Sequence, residues 1–456
     1  MIFNRIYIIL FKLHLQLQIL FGNIKKIYLM TDSETKHAIR MILISASLAG
    51  MSYISFQNGL LLSYFSHLKV PSASILILLS ILPISLFFFI IPFSYLSDKL
   101  GKKFIGNIGL IFQLIGFSLI SAIGFFPENY RIMSIGLGIA AFGAGQAMNV
   151  GSWYALIHPI IPEKIRGRFF GLLRLTWQSV SFLFMLIAIY ILENYPSLKL
   201  YQAVLGLITI LMAIRILFYK RIPELDKRVP NKKSLLETIL NVISIPEFLP
   251  FCAYCFVLTL FTGACPQIFN LIEKDVLKFS EAEIVFIGNL LILGSLAGFY
   301  IGGRLVDRIG TKYVFLFCHL GFGSIMFLFL LRDTFQFEYI FFVGTLTILF
   351  GIVQAASSIA MTSETLVIIP EANKSLAVGL WFTLFSGGTG LSGILSGKAL
   401  ELKVFSASWT LLGQNMTSYD VILLIFATMV LLMTVTLGLI PSFIKKTPAQ
   451  WIPHNH

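Results

Sequence analysis

Charge is scarce in this chain, yet three ionisable side chains stand inside long apolar stretches: Arg174, Arg215 and Glu364. A charge in hydrocarbon is costly, so such residues pair, reach the surface along their stems, or take part in function. A second set is uncharged. Gln146 has Asn149 and Trp153 at i+3 and i+7 on the same helical face, Gln354 has Ser357 and Ser358 beside it, and Gln57 adjoins Asn58. Gln267 and Asn270 follow Pro266, where a helix is expected to break. Such groups offer hydrogen bonds to a polar solute; the alternative is that each amide bonds across packed helices. His158 and His319 read as satisfied core histidines, and Trp177 and Trp381 as packing residues. No nucleotide-binding glycine loop and no nucleophile with its base is present, which argues against an enzyme or an ATP-driven pump.

The elements that must hold these residues follow from composition. Hydrophobic residues make up 57% of the chain and charged ones 12%, against about 25% charge in soluble domains. Crossing a bilayer takes roughly 20 helical residues. Twelve stretches are long enough: 38–66, 72–97, 104–126, 131–159, 169–192, 200–219, 248–272, 284–306, 313–331, 339–363, 375–400 and 418–440. They are apolar on every face, which selects helices over alternating strands. The net charge of +13 is spread over loops rather than gathered on one face, so no nucleic-acid partner is expected. From Lys36 onward, the even-numbered connections and the termini hold 20 Lys and Arg and the odd-numbered ones 8. That bias places both termini and the central connection in the cytoplasm of a multi-pass protein of the plasma (inner) membrane. Cys252, Cys255, Cys265 and Cys318 lie in or beside apolar stretches without metal-ligand company, so no metal and no cofactor is expected. Residues 1–29 are apolar but lack a signal-cleavage site; Met30 is read as the true start, with 1–29 an upstream extension or a surface-lying helix.

The chain repeats itself. "YLSDKLGKK" at 95–103 and "RLVDRIGTK" at 304–312 align Asp98 with Asp307 and Gly101 with Gly310 at an offset of 209. "FGAGQA" at 142–147 and "FGIVQA" at 350–355, and "IIPE" at 160–163 and 368–371, repeat at 208. Three landmarks in one order make the halves structural copies. The expected organisation is an N-terminal extension and lead (1–36), a six-helix bundle (37–219), a central loop (220–247), a second six-helix bundle (248–440) and a tail (441–456). A tight turn needs Gly101, Lys102 and Lys103 favour the inner face, and Asp98 can sit at the positive end of a neighbouring helix.

The loop with Asp98, Gly101, Lys102 and Lys103, its second copy with Asp307, Arg308 and Gly310, and "PEKIRGRFFG" with Arg166 resemble the signature loops of the major facilitator superfamily. The first copy departs in having Ser94 where the family prefers glycine. The resemblance implies an all-α fold of twelve transmembrane helices in two pseudo-symmetric six-helix bundles, with spans 1, 4, 7 and 10 lining a central cavity. It implies that Asp98 latches the halves on the cytoplasmic side, and it puts Gln57, Asn58, Gln146, Asn149, Trp153, Gln267, Asn270, Gln354 and Ser358 on cavity-type spans. Gln146 and Gln354 are expected to pair across the cavity, and Arg174 and Glu364 across the interface. The competing account has Arg174 reaching the surface and Glu364 bonding a hydroxyl such as Thr362. Small residues four apart, Gly294, Gly298 and Gly302 in span 8 and Gly393 and Gly397 in span 11, suit helices that slide against each other. The leading expectation is a monomeric transporter of a small organic solute working by alternating access, with Glu364 the deep carboxylate available for proton coupling. Alternatives are a proton-driven exporter of amphipathic compounds, made less apt by a span 5 without the Gly-Pro-rich motif of drug antiporters, and a transporter-like sensor that binds without translocating.

Overall fold

A computed structural model describes residues 32–162, 165–195, 197–225, 235–334, 338–368, 374–411 and 413–439. Residues 1–29, Met30, the C-terminal tail and the middle of the central loop lie outside the described residues. Among the described residues, twelve helices are long and apolar enough to cross a membrane. Span 1 is two segments, Ser33–Ser55 and Leu60–His67; spans 2 to 6 are Ser72–Leu100, Lys102–Ser121, Glu128–Ile157, Arg166–Asn194 and Leu198–Tyr219. A short helix, Leu235–Ile243, precedes span 7, which is again two segments, Phe248–Thr262 and Cys265–Asp275. Spans 8 to 12 are Glu281–Ile309, Thr311–Leu330, Tyr339–Ile368, Lys374–Glu401 and Ser418–Leu439. The connection between spans 11 and 12 carries a small antiparallel hairpin, Trp409–Leu411 with Gln414–Met416, which the apolar pattern gave no reason to expect.

Local chemistry sets the ends of these helices. Asp32 starts span 1 by accepting from the Thr35 amide at 2.7 Å, and its hydrogen bonds from Thr35 hold its carboxyl below the ordinary carboxylate range. Spans 2 and 8 both stop on a glycine that also begins the next helix. Gly101 has φ +112° and Gly310 φ +80°, a region where a side chain is strained, so the repeated loop needs its glycines.

The halves repeat in their packing as well as in their motifs. In the first, span 2 packs on 4, 3 on 6 and 1 on 5; in the second, 8 packs on 10, 9 on 12 and 7 on 11. Between them, span 2 lies along span 11 and span 5 along span 8. Glycines make the first of these contacts close: a Cβ on Gly393 would sit 2.0 Å from Ser80 Oγ, and one on Gly397 2.6 Å from Ile77 Cγ1. The stripe in span 8 does something else. Gly294, Gly298 and Gly302 press on Ile348, Ile352 and Ala356 of span 10, within one half, so this stripe cements a bundle instead of serving helices that slide between bundles.

Candidate functional site

The two helix breaks build the centre of the molecule. Span 1 stops at Ser55 and restarts at Leu60, with Gly59 in the left-handed region at φ +82°. Asn58 Oδ1 accepts from the Leu60 amide at 3.2 Å and so begins the second segment. In span 7, Pro266 has no amide to give and its ring crowds the preceding turn; the helix parts at Gly263 and Ala264. The freed Ala264 amide donates to Ser392 Oγ of span 11 at 3.1 Å.

The break in span 1 faces the second segment of span 7 and the start of span 8. A Cβ on Gly59 would lie 3.3 Å from Asn270 Nδ2, and one on Gly288 of span 8 would lie 2.3 Å from the Asn58 carbonyl oxygen. Asn58 and Asn270 are therefore neighbours at the seam between halves, both buried. Beside them, Asn289 of span 8 donates to the Phe182 carbonyl of span 5 at 3.3 Å. Several buried polar atoms of this region have no partner within the protein: Asn58 Nδ2, Gln178 Oε1, Gln267 Oε1 and Asn289 Oδ1. These belong to uncharged side chains; on the same segment of span 7, Glu273 is buried with both carboxylate oxygens unpartnered. Gln57, Gln354 and Ser358 are half-buried on spans 1 and 10.

The three residues singled out on span 4 are committed inside the N-terminal half. Arg215 of span 6, buried, donates to Gln113 Oε1 at 2.8 Å and to Asn149 Oδ1 at 3.2 Å. Gln113 in turn donates to Gln146 Oε1 at 3.0 Å, and Trp153 stacks on Tyr219 with ring centroids 6.0 Å apart. The expected Gln146–Gln354 pair is thus not made here: Gln146 bonds to span 3. Arg215 does not reach for the surface, because three amides from spans 3 and 4 form a polar chain around its guanidinium. Nor do Arg174 and Glu364 meet in this conformation. The Arg174 guanidinium lies over the Phe299 ring at 4.9 Å, which joins spans 5 and 8, and Glu364 Oε2 accepts from Thr311 Oγ1 at 2.5 Å. Glu364 is satisfied by a hydroxyl, as in the competing account, but the hydroxyl comes from the start of span 9 and not from its own helix.

The face of the odd-numbered connections is shut by polar contacts between the halves. Glu281, at the start of span 8, takes His67 Nδ1 at 3.1 Å and the Tyr201 hydroxyl at 2.8 Å. Asp275, at the end of span 7, accepts from Ser72 at 2.7 Å and from Tyr419 at 2.6 Å, while Lys274 Nζ reaches Ser72 Oγ at 3.0 Å. On the opposite face, Asp98, Asp307 and Arg308 are exposed. The positive end of span 3 is held by Glu224 of the central loop, which accepts from the amides of Lys102 at 2.7 Å and Lys103 at 3.4 Å. Arg166 begins span 5 and reaches the Ile161 carbonyl at 3.5 Å. His319 is buried between the Phe315 carbonyl and the Tyr254 hydroxyl, whereas His158 is exposed at the end of span 4, which corrects its core reading. Trp177 and Trp381 pack in the core.

Four buried polar residues had no place among the sequence-based expectations: Glu273 and Arg332, each one position beyond a stretch drawn from hydropathy, and Asp420 and Gln113 inside one. Glu273 is completely buried with neither carboxylate oxygen partnered. Arg332 and Asp420 form a buried bidentate ion pair at 2.6 and 3.0 Å between spans 9 and 12. Gln113 had no counterpart in the second half, where the equivalent position is Phe322. Among the described residues, no group of three or more His, Cys, Asp and Glu side chains could hold a metal.

Comparison with solved structures finds the same fold in transporters. A mutant form of the nucleoside transporter NupG superposes with a TM-score of 0.68 at 18% identity, covering 88% of this chain and 99% of that one. A POT family transporter in complex with 5-aminolevulinic acid superposes with a TM-score of 0.67 at 13% identity, covering 88% and 95%. A search among curated proteins gave no match. The description "Major Facilitator Superfamily" matches residues 42–393, which is most of the chain. With its repeated loops, paired broken helices and two-bundle packing, this multi-pass membrane transporter of small solutes belongs to the Major Facilitator Superfamily.

Proposed function

We propose that this chain moves a small, uncharged, polar organic solute across the plasma membrane by alternating access, with nucleosides the first class to test. One observation carries the reading: the seam beside the two broken helices is built from neutral amides of both halves, several with buried polar atoms that lack a partner, while the partnerless carboxylate of Glu273 lies three residues beyond Asn270 on span 7. Buried polar groups cost free energy until something bonds them, and a solute rich in donors and acceptors supplies what they lack. Gln57, Asn58, Gln267, Asn270, Gln354 and Ser358 are the proposed contact residues; Gln146, Asn149 and Trp153 stand behind them as support. A zwitterion of the kind bound in the second neighbour wants fixed opposite charges; Arg174 is engaged over Phe299 and Glu364 on Thr311, and Glu273 has no hydrogen-bonded cation beside it to complete such a pair.

The even-numbered face, rich in Lys and Arg, is taken as cytoplasmic. The conformation described, shut on the odd face, is then the one that faces the cell interior. In the opposite state Asp98 and its loop latch the even face, and Arg174 and Glu364 pair across it. Proteoliposomes preloaded with unlabelled uridine and adenosine should take up the labelled nucleosides by exchange, while preloaded dipeptides or amphipathic cations give none. Exchange of dipeptides alone would overturn the solute class. Arg174→Glu and Glu364→Arg should each slow exchange and together restore part of it; a double variant no better than the worse single one removes the pair.

A further inference from the structure

Among the described residues at this end of the molecule, Glu273 is the buried carboxylate that neither the seam nor the latch uses and that no cation pairs. It is 0% exposed, and both of its oxygens are buried without a partner. Its own helix segment, Cys265–Asp275, begins at the break in span 7 and ends in the latch residues Lys274 and Asp275. No cation or donor side chain bonds Glu273, and the charged groups of the neighbouring elements have other partners or, like Lys278, stand exposed. Lys274 lies against Asp275 and Ser72, and Arg332 of span 9 is held by Asp420 of span 12. Glu281 of span 8 takes His67 and Tyr201, Glu283 caps Ser280, Tyr419 donates to Asp275, and Tyr339 donates to Asp333. Glu338 stands exposed at the start of span 10.

An ionised carboxylate in an apolar wall with no cation and no donor is among the costliest arrangements a protein can hold. A metal ion would need further ligands, and no such group exists among the described residues. A proton needs one oxygen. Because the same short segment carries the latch, opening the odd face moves Glu273 toward water, where the ionised form is solvated.

We propose that Glu273 is a proton-binding site whose occupancy is required for the odd-numbered face to close. Opening lets the proton leave to the odd side and closing takes one up, so the closed form carries one more proton than the open form. The sign follows by linkage: raising the pH disfavours the closed form, by up to about tenfold per pH unit while the open form is ionised and the closed form is not. His67 on Glu281 is a second group that acid would tighten, and the test must separate the two.

The test uses the full chain in lipid nanodiscs with spin labels on cysteines introduced at Asn129, in the first turn of span 4, and Leu402, just after span 11, exposed positions on the odd face of opposite halves. The four native cysteines are buried. The closed fraction of wild type should fall as pH rises, Glu273→Gln should stay closed at every pH, and His67→Gln should keep the wild-type trend. A Glu273→Gln protein that follows the wild-type titration overturns the proposal, as does a wild type indifferent to pH. A second measurement does not need the Gln variant to fold. With Ser72→Cys and Asp275→Cys oxidised to hold the odd face shut, the infrared carbonyl band of a protonated carboxyl should persist to alkaline pH; its absence also overturns the proposal. The inference rests on the transport reading only in requiring that the face opens. Failed solute exchange with an intact pH response would sink the solute and spare the proton site, and the reverse result would do the opposite.

Discussion

Gly288→Ala tests whether the odd face opens at the seam between the broken helices. A Cβ there would lie 2.3, 2.5 and 2.8 Å from the carbonyl oxygen, carbonyl carbon and Cα of Asn58, all backbone atoms of the other half. No rotamer can relieve contact with backbone, so span 1 and span 8 must separate or the residue is strained. Overpacking of this kind costs about 1–3 kcal/mol. Within span 8 itself the change is favourable, since alanine outranks glycine in a helix interior by about 1 kcal/mol. The bundle is therefore expected to keep its stability while the closed form loses, shifting the closed-to-open ratio by about 5- to 150-fold. Spin labels at Asn129 and Leu402 read the shift directly as a longer distance. Gly303→Ala on the same helix is the control, because a Cβ there meets nothing within 4 Å. If Gly288→Ala and Gly303→Ala give the same distances as wild type, the seam is not a moving contact and the reasoning fails.

Three more outcomes are expected. Asp420→Asn leaves Arg332 buried beside half a partner, and removing one member of a buried pair costs about 3–5 kcal/mol; thermal unfolding in detergent should show a clear fall in Tm, and an unchanged Tm would refute it. Gln146→Ala strands the Gln113 amide beneath Arg215 and should destabilise the N-terminal half by about 1–3 kcal/mol. If it instead weakens solute binding with stability untouched, Gln146 faces the cavity after all. Asp98→Asn should slow exchange with little change in apparent affinity, and Asp307→Asn should do less; a tenfold loss of affinity at full maximal rate would assign Asp98 to the solute site.

The twelve spans, the two halves and the glycine turns at Gly101 and Gly310 were legible because each rests on a local or repeated signal: apolar length, a fixed offset, a residue that tolerates positive φ. The break in span 7 was legible from Pro266. That in span 1 was not, since Phe56–Gly59 holds no proline and one glycine in an apolar run is a weak mark. Side-chain partners were mostly illegible. Hydropathy ended span 7 at residue 272 and so hid Glu273 one position beyond, and a period along one helix cannot say which neighbour a face meets. For that reason Gln146, Asn149 and Trp153 share a face as their spacing requires, yet that face turns to Gln113, Arg215 and Tyr219 instead of to a partner across the halves. The duplicated aspartate was legible as a repeat, whereas Glu224 on the amides of Lys102 and Lys103 was not, because its place in the central loop carries no motif.

The claim that most needs testing is that solute passes between the two broken helices. The direct measurement is nucleoside exchange in proteoliposomes containing wild type or Asn58→Ala with Asn270→Ala, both buried neighbours at the seam. The account predicts labelled uridine or adenosine entering wild-type vesicles well above protein-free ones, and a loss of apparent affinity in the double variant whose Tm is close to wild type. Exchange with unaltered affinity in that variant, or no exchange of any neutral polar solute by wild type, would contradict it.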